Sequence, residues 1–158
     1  MKRVILLILA LLPLSVMAQI PAIETLGEEA DREKGVEYES VGSFMLGMAS
    51  SFADKEQRAT FKMLDHIDMI ECKNEGYAPT LQRRIRAIIE RIGAHHIATT
   101  TNERGENEVY AVKRGTTIKH LIILTSGKEG GYAVTAMSGT IPESRLGEIA
   151  KLSPPKKK

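Results

Sequence analysis

Residues 79–92 read PTLQRRIRAIIERI, and Gly93 follows. Leu81, Ile85, Ile88, Ile89 and Ile92 recur at i, i+4, i+7, i+8 and i+11. At about 100° per residue they line one stripe of a helix. Pro79 suits the first helical turn, and Gly93 can adopt the positive φ that ends one. Arg83, Arg86 and Glu90 fall on the opposite side, with Arg84 and Arg91 flanking the stripe. Arg86 and Glu90 are one turn apart and are expected to pair, for ~0.2–0.5 kcal/mol. An apolar stripe of this width needs a flat apolar partner, so the helix is expected to pack on a sheet.

The sheet is legible just downstream. Residues 95–102, 108–114, 118–125 and 132–138 read as strands, and their short connections make neighbours antiparallel hairpins. The run His120-Leu121-Ile122-Ile123-Leu124 is the most apolar and is expected at the centre. Upstream, residues 67–72 and 36–41 read as further strands, the second at an edge. Phe44, Met45, Met48, Ala49 and Phe52 share a helical face that is expected to pack inward. Asp54 with Gln57 looks like a cap opening a second helix through Leu64. Residues 142–152 read as a closing helix with Leu146, Ile149 and Leu152 inward. The fold class is α+β, an antiparallel sheet with amphipathic helices on one face. The other face is expected to be more polar, and solvated or covered by a partner.

Composition sets the outer limits. At 158 residues, 42% hydrophobic and 27% charged, the chain suits one domain with its own core. Lys2 and Arg3 precede an aliphatic run broken by Pro13, and Val16 and Ala18 are small residues placed as a signal peptidase requires. Residues 1–18 therefore read as an export signal cleaved near Ala18. The run is shorter than the roughly 20 residues of a membrane span, so no stable span is expected after cleavage. The product is expected to be periplasmic or secreted. Residues 19–35 read as an acidic, polar entry segment, 36–152 as the domain, and 153–158 as a disordered proline and lysine tail. With Lys2, Arg3 and Lys156–Lys158 set aside, the 22 basic side chains fall to 17 against 20 acidic. That balance argues against a nucleic-acid partner.

Chemistry is sparse. Cys72 is the only cysteine, so no internal disulfide can form, and it reads as a small apolar residue at a strand end. His95 and His96 are adjacent on a strand and point to opposite faces. Neither His-x-x-x-His nor Cys-x-x-Cys occurs, so no metal and no cofactor is expected. The glycine-rich stretch 126–131 lacks the order of a phosphate loop and a following helix, and reads as a hairpin turn. There is no Gly-x-Ser-x-Gly elbow, and no catalytic residues are assigned. A hydrolase would require His66, His95 or His120 to meet a serine or acid within hydrogen-bond reach.

Two surfaces remain as candidates. Met45, Met48 and Phe52 could border an apolar pocket between their helix and the sheet. Arg83, Arg84, Arg86 and Arg91 form a basic interaction face. Between Glu24 and Glu39 lie seven acids against Arg32 and Lys34, so the entry segment could lie against those arginines or remain a separate solvated surface.

The order of these elements resembles a known family. The residues that carry it are Met45-Leu46, the strand Ile67–Cys72 with Asn74 after it, Ile118–Leu124, and Met137-Ser138-Gly139-Thr140-Ile141 before the last helix. Together they resemble the DUF4252 family, exported proteins of Gram-negative bacteria described as a domain of unknown function, over about residues 36–152. The resemblance implies a small exported domain and carries over no catalytic residues. The expected function is an exported, non-catalytic periplasmic module that binds an unknown protein partner. A small-ligand or lipid-binding protein with an apolar cavity, and a hydrolase with an unrecognised site, are the alternatives.

Overall fold

Strand-forming runs bounded by turns produce six strands among the described residues, and all of them join one sheet. The structure, a computed structural model, describes residues 20–149. In chain order the elements are helix α1 (Pro21–Ala30), strand β1 (Val36–Gly42), helices α2 (Ser43–Phe52) and α3 (Lys55–Phe61), and strand β2 (Leu64–Cys72). Helix α4 (Ala78–Arg91) follows, then β3 (His95–Asn102), β4 (Gly105–Arg114), β5 (Thr117–Gly127) and β6 (Tyr132–Pro142). A 3-10 turn, Glu143–Arg145, leads into the short α5 (Leu146–Ile149). The expected export signal, the tail at 153–158 and Leu152 lie outside the described residues.

The sheet order is β1-β2-β6-β5-β4-β3, antiparallel throughout. The four C-terminal strands form the expected meander, with β5 and β6 at the centre. Gly127 N–H donates to the Gly131 carbonyl at 2.7 Å, which makes the glycine-rich stretch a hairpin turn. The N-terminal pair β1–β2 adds to the free side of β6, so the last strand in sequence joins the two halves.

Each central strand has two apolar sides. On β5, Ile122 and Leu124 belong to one buried cluster and Leu121 and Ile123 to another, as adjacent residues on a strand must. Over the first cluster lie α1, through Ile23, Leu26 and Ala30, and α4, through Leu81, Ile85, Ile88 and Ile89. The amphipathic helices α1 and α4 thus share a face, and α4 buries the stripe read from its sequence. Asn74 holds the turn that leads into α4, its side-chain oxygen accepting from the backbone N–H of Gly76 and Tyr77, both at 3.1 Å. Gly93, at φ 71°, closes the helix. Cys72 is buried in this cluster.

Three expectations need correcting here. The second face is not polar, because Val109, Ala111, Leu121, Ile123 and Met137 build a core there with Leu46 of α2 and Ile149 of α5. Residues 21–30 are not a polar entry segment but a helix of the domain. Their acids point outward while Ile23, Leu26 and Ala30 complete an apolar stripe that the local charge density had masked. The last strand runs past its expected end at 138 through Pro142, placing Ile141 in the second core, so the closing helix starts one residue later than expected, as the 3-10 turn Glu143–Arg145 followed by Leu146–Ile149.

Candidate functional site

Helix α2 starts where β1 ends, with no intervening loop. Its C-terminal carbonyls are met from α3. Arg58 Nε donates to the Ser50 carbonyl at 3.0 Å and Arg58 Nη2 to the Ala53 carbonyl at 3.2 Å. Asp54 caps α3 by accepting from the Gln57 N–H at 2.8 Å, as its sequence pattern indicated. The two helices are therefore held as one hairpin, and the rotation of α2 is fixed.

That rotation is the opposite of the expected one. Leu46, 3% exposed, faces the second core, whereas Phe44 is 76%, Met45 55%, Met48 49% and Phe52 90% exposed. At about 100° per residue, these four side chains span a stripe of roughly 100°, and Leu46 lies about 150° from its middle. The stripe that read as core stands in water, and Met45, Met48 and Phe52 do not border a pocket against the sheet. The reason is composition. Ser43–Phe52 contains no charged residue, so nothing in it marks a solvent side. Leu46 is the residue that reaches the cluster holding Leu64 and Met137.

The arginine face divides. Arg84 is paired with Glu29 of α1, which ties the acidic segment to the helix face. Arg86 donates to Glu108 at 2.5 Å and to the Tyr110 hydroxyl at 3.1 Å, rather than pairing with Glu90. The sheet carboxylate lies under the helix, where a partner half-removed from water is the stronger competitor. Arg83 and Arg91 are exposed. Two of the four arginines thus serve as ties within the domain.

A polar row crosses the sheet on the α1 side. The Tyr38 hydroxyl donates to Asp68 Oδ1 at 2.7 Å, and His66 Nε2 lies 3.1 Å from the same oxygen. Ser40 Oγ is 2.8 Å from His66 Nε2. Ser138 stands in register between His66 of β2 and His120 of β5, and its Oγ is 2.8 Å from His120 Nδ1. Asp68 and Ser138 are buried, so these bonds satisfy groups that could not be left without partners. Burial, reinforced by Asp68, raises the Tyr38 hydroxyl well above the ordinary phenol range. Burial, with Lys119 adding to it, lowers the His120 imidazole below its ordinary value.

The row meets the proximity that a hydrolase requires, but the arrangement is wrong for a triad. A catalytic imidazole takes the nucleophile on one ring nitrogen and its orienting acid on the other. Ser40 and Asp68 both approach Nε2 of His66. His120 bonds to Ser138, and among the described residues no acid is hydrogen-bonded to it. The sequence held a signal for this row. Tyr38 and Ser40 in β1, and His66 and Asp68 in β2, are polar pairs at strand spacing, and antiparallel pairing brings them together. His96 is used otherwise, bonding Thr99 at 2.8 Å and meeting the Tyr110 ring edge-on.

Among the described residues no group of three His, Cys, Asp or Glu is placed to hold a metal. No described helix is long and apolar enough to cross a membrane. One family model, described as a domain of unknown function (DUF4252), matches residues 31–149. No curated protein and no solved structure matches the chain.

Proposed function

Because the chain belongs to the DUF4252 family, a domain of unknown function, its role has to be read from its own surface, and we propose an exported, non-catalytic interaction module that docks through α2. The carrying observation is the outward stripe of Phe44, Met45, Met48 and Phe52 on a helix whose rotation is fixed. With aromatic side chains presenting 150–250 Å² each, the four leave on the order of 500 Å² of contiguous apolar surface in water. A patch of that size is about as large as any that a typical monomer exposes, and such patches are often functional. Methionine adds adaptability, since its unbranched side chain fills irregular surfaces. The non-catalytic half of the reading is supported by the polar row, where each candidate base is held by a buried group and the serine and acid compete for one nitrogen.

The export signal at 1–18 supplies the address. Mass spectrometry of the chain recovered from the periplasm should find an N-terminus near Gln19. Cross-linked in the intact cell before that fraction is taken, the chain should run above its own mass on a gel. The double variant Phe44→Ser/Phe52→Ser should run at its own mass, and His66→Gln should behave as the unchanged chain. A chain that runs alone in every case would overturn the docking reading. A second reading, hydrolysis, is favoured by one contact only, the exposed Ser40 hydroxyl on His66. Trapping of Ser40 by an organophosphonate probe, abolished in His66→Ala, would establish it.

A further inference from the structure

We propose that the surface covering the α2 stripe is a second copy of this chain, the two α2 helices packing antiparallel about a two-fold axis at Met48. This rests on the docking reading and names its partner. Phe44, Met48 and Phe52 are spaced i, i+4, i+8, the same in either direction along the helix. An axis through Met48 sets that residue against its own equivalent, and each Phe44 against the other copy's Phe52. A self-complementary patch is what a two-fold contact demands.

Charge gives independent support. Residues near a two-fold axis meet their own equivalents, so any charge there faces a like charge. Ser43–Phe52 carries none, and the nearest ionisable residues along the chain are Glu39 and Asp54. A helix that docks on a bilayer usually carries Lys or Arg on its polar flank, and α2 has neither. Sterics agree as well. The ridge at i, i+4, i+8 interdigitates with a second such ridge at an interaxial distance of roughly 8–10 Å. Gly47 and Ser51 flank the ridge, and a Cβ at Gly47 would meet nothing within 4 Å, so the backbones have room to approach.

Area sets the strength. Two stripes of about 500 Å² each bury on the order of 1,000 Å², the lower bound for a specific interface. The dimer is therefore expected to be reversible, with substantial association only at micromolar concentration and above.

The test uses the full chain, exported and processed by the cell, in sedimentation equilibrium up to about 300 µM, a range that detects a dissociation worth only ~5 kcal/mol. The unchanged chain should show a monomer–dimer equilibrium. Met48→Lys and Met48→Glu should each weaken association at least tenfold while melting as the parent does, since Met48 is half-exposed. Mixing the two in equal amounts should restore the dimer, because only a two-fold contact sets position 48 against itself. A chain that stays monomeric, a dimer that Met48→Lys leaves intact, or a mixture that does not reassociate would each overturn the proposal. A photo-reactive residue at position 52 in the exporting cell separates the two readings. An adduct of twice the chain mass supports the second copy. An adduct to a different protein overturns the second copy and leaves docking standing. A lipid adduct, or none, overturns both.

Discussion

Helices α4 and α2 both carry a stripe of large apolar side chains at helical spacing, yet one stripe is buried and the other stands in water. In α4 the intervening positions hold Arg83, Arg86, Glu90 and Arg91, so only one side can enter a core at tolerable desolvation cost. In α2 the remaining positions are Leu46 and otherwise Gly, Ser and Ala, none of them charged, and either side could have been chosen. Periodicity locates a stripe, and charge on the opposite side decides its direction. A helix without charge leaves that decision to its neighbours, here Leu46 and the Arg58 clasp.

The contrast can be broken most violently at α4. Ile88→Asp places an unpaired carboxylate in the first core and should cost several kcal/mol, comparable to the whole stability of a small domain. Its thermal transition should vanish, and a cooperative melt within a few degrees of the parent would mean that the helix faces have been misjudged. Next comes the close approach of α1 to the sheet. A Cβ at Gly27 would fall on the Tyr38 ring, so Gly27→Ala must displace the ring from Asp68. Urea denaturation should register a loss of about 1–3 kcal/mol.

A smaller effect separates the polar row from its apolar neighbours. The folded-state pKa of His120 is lowered, so between that value and the ordinary ~6.5 the unfolded chain binds more protons than the folded one. The contribution of His120 is therefore complete above about pH 6.5 and declines as pH falls below it. Urea midpoints followed downward from neutral pH should drop less steeply in His120→Asn, and parallel curves would rule the group out as a source. The least effect is expected on the outward side. Phe52→Ser and Arg83→Ala should each leave the stability of the dilute monomer within about 0.5 kcal/mol, because neither side chain is buried. A loss at Phe52 as large as at Gly27 would show that the α2 stripe packs on its own domain.

Sequence patterns disclosed the sheet well and the surfaces poorly, for identifiable reasons. Strand β3 runs over His95–Asn102 as expected, and the other meander strands differ by extension at their ends. Alternation is a local signal, and hairpin turns bound it. Helix α1 was hidden because its three acids are as many as the three apolar residues, Ile23, Leu26 and Ala30, that matter to the core. The second core was hidden because Leu121 and Ile123 share an unbroken apolar run with Ile122 and Leu124, and such a run does not announce that both faces are covered. The polar row required the register of β1 on β2, a long-range quantity. The pairing of Arg86 with Glu108 rather than Glu90 is the same kind of fact.

Strand β6 carries a consequence for the order of assembly. Val134 stands beside Ile70 of β2 on one flank and Leu124 of β5 on the other. A polypeptide emerges from the ribosome with its amino end leading, so β1, β2 and both long amphipathic helices are made before the strip that seats them. Until Pro142 is available they have no complete surface to settle on. The meander can zip locally, hairpin by hairpin, but joining the two halves waits until β6 itself has been made.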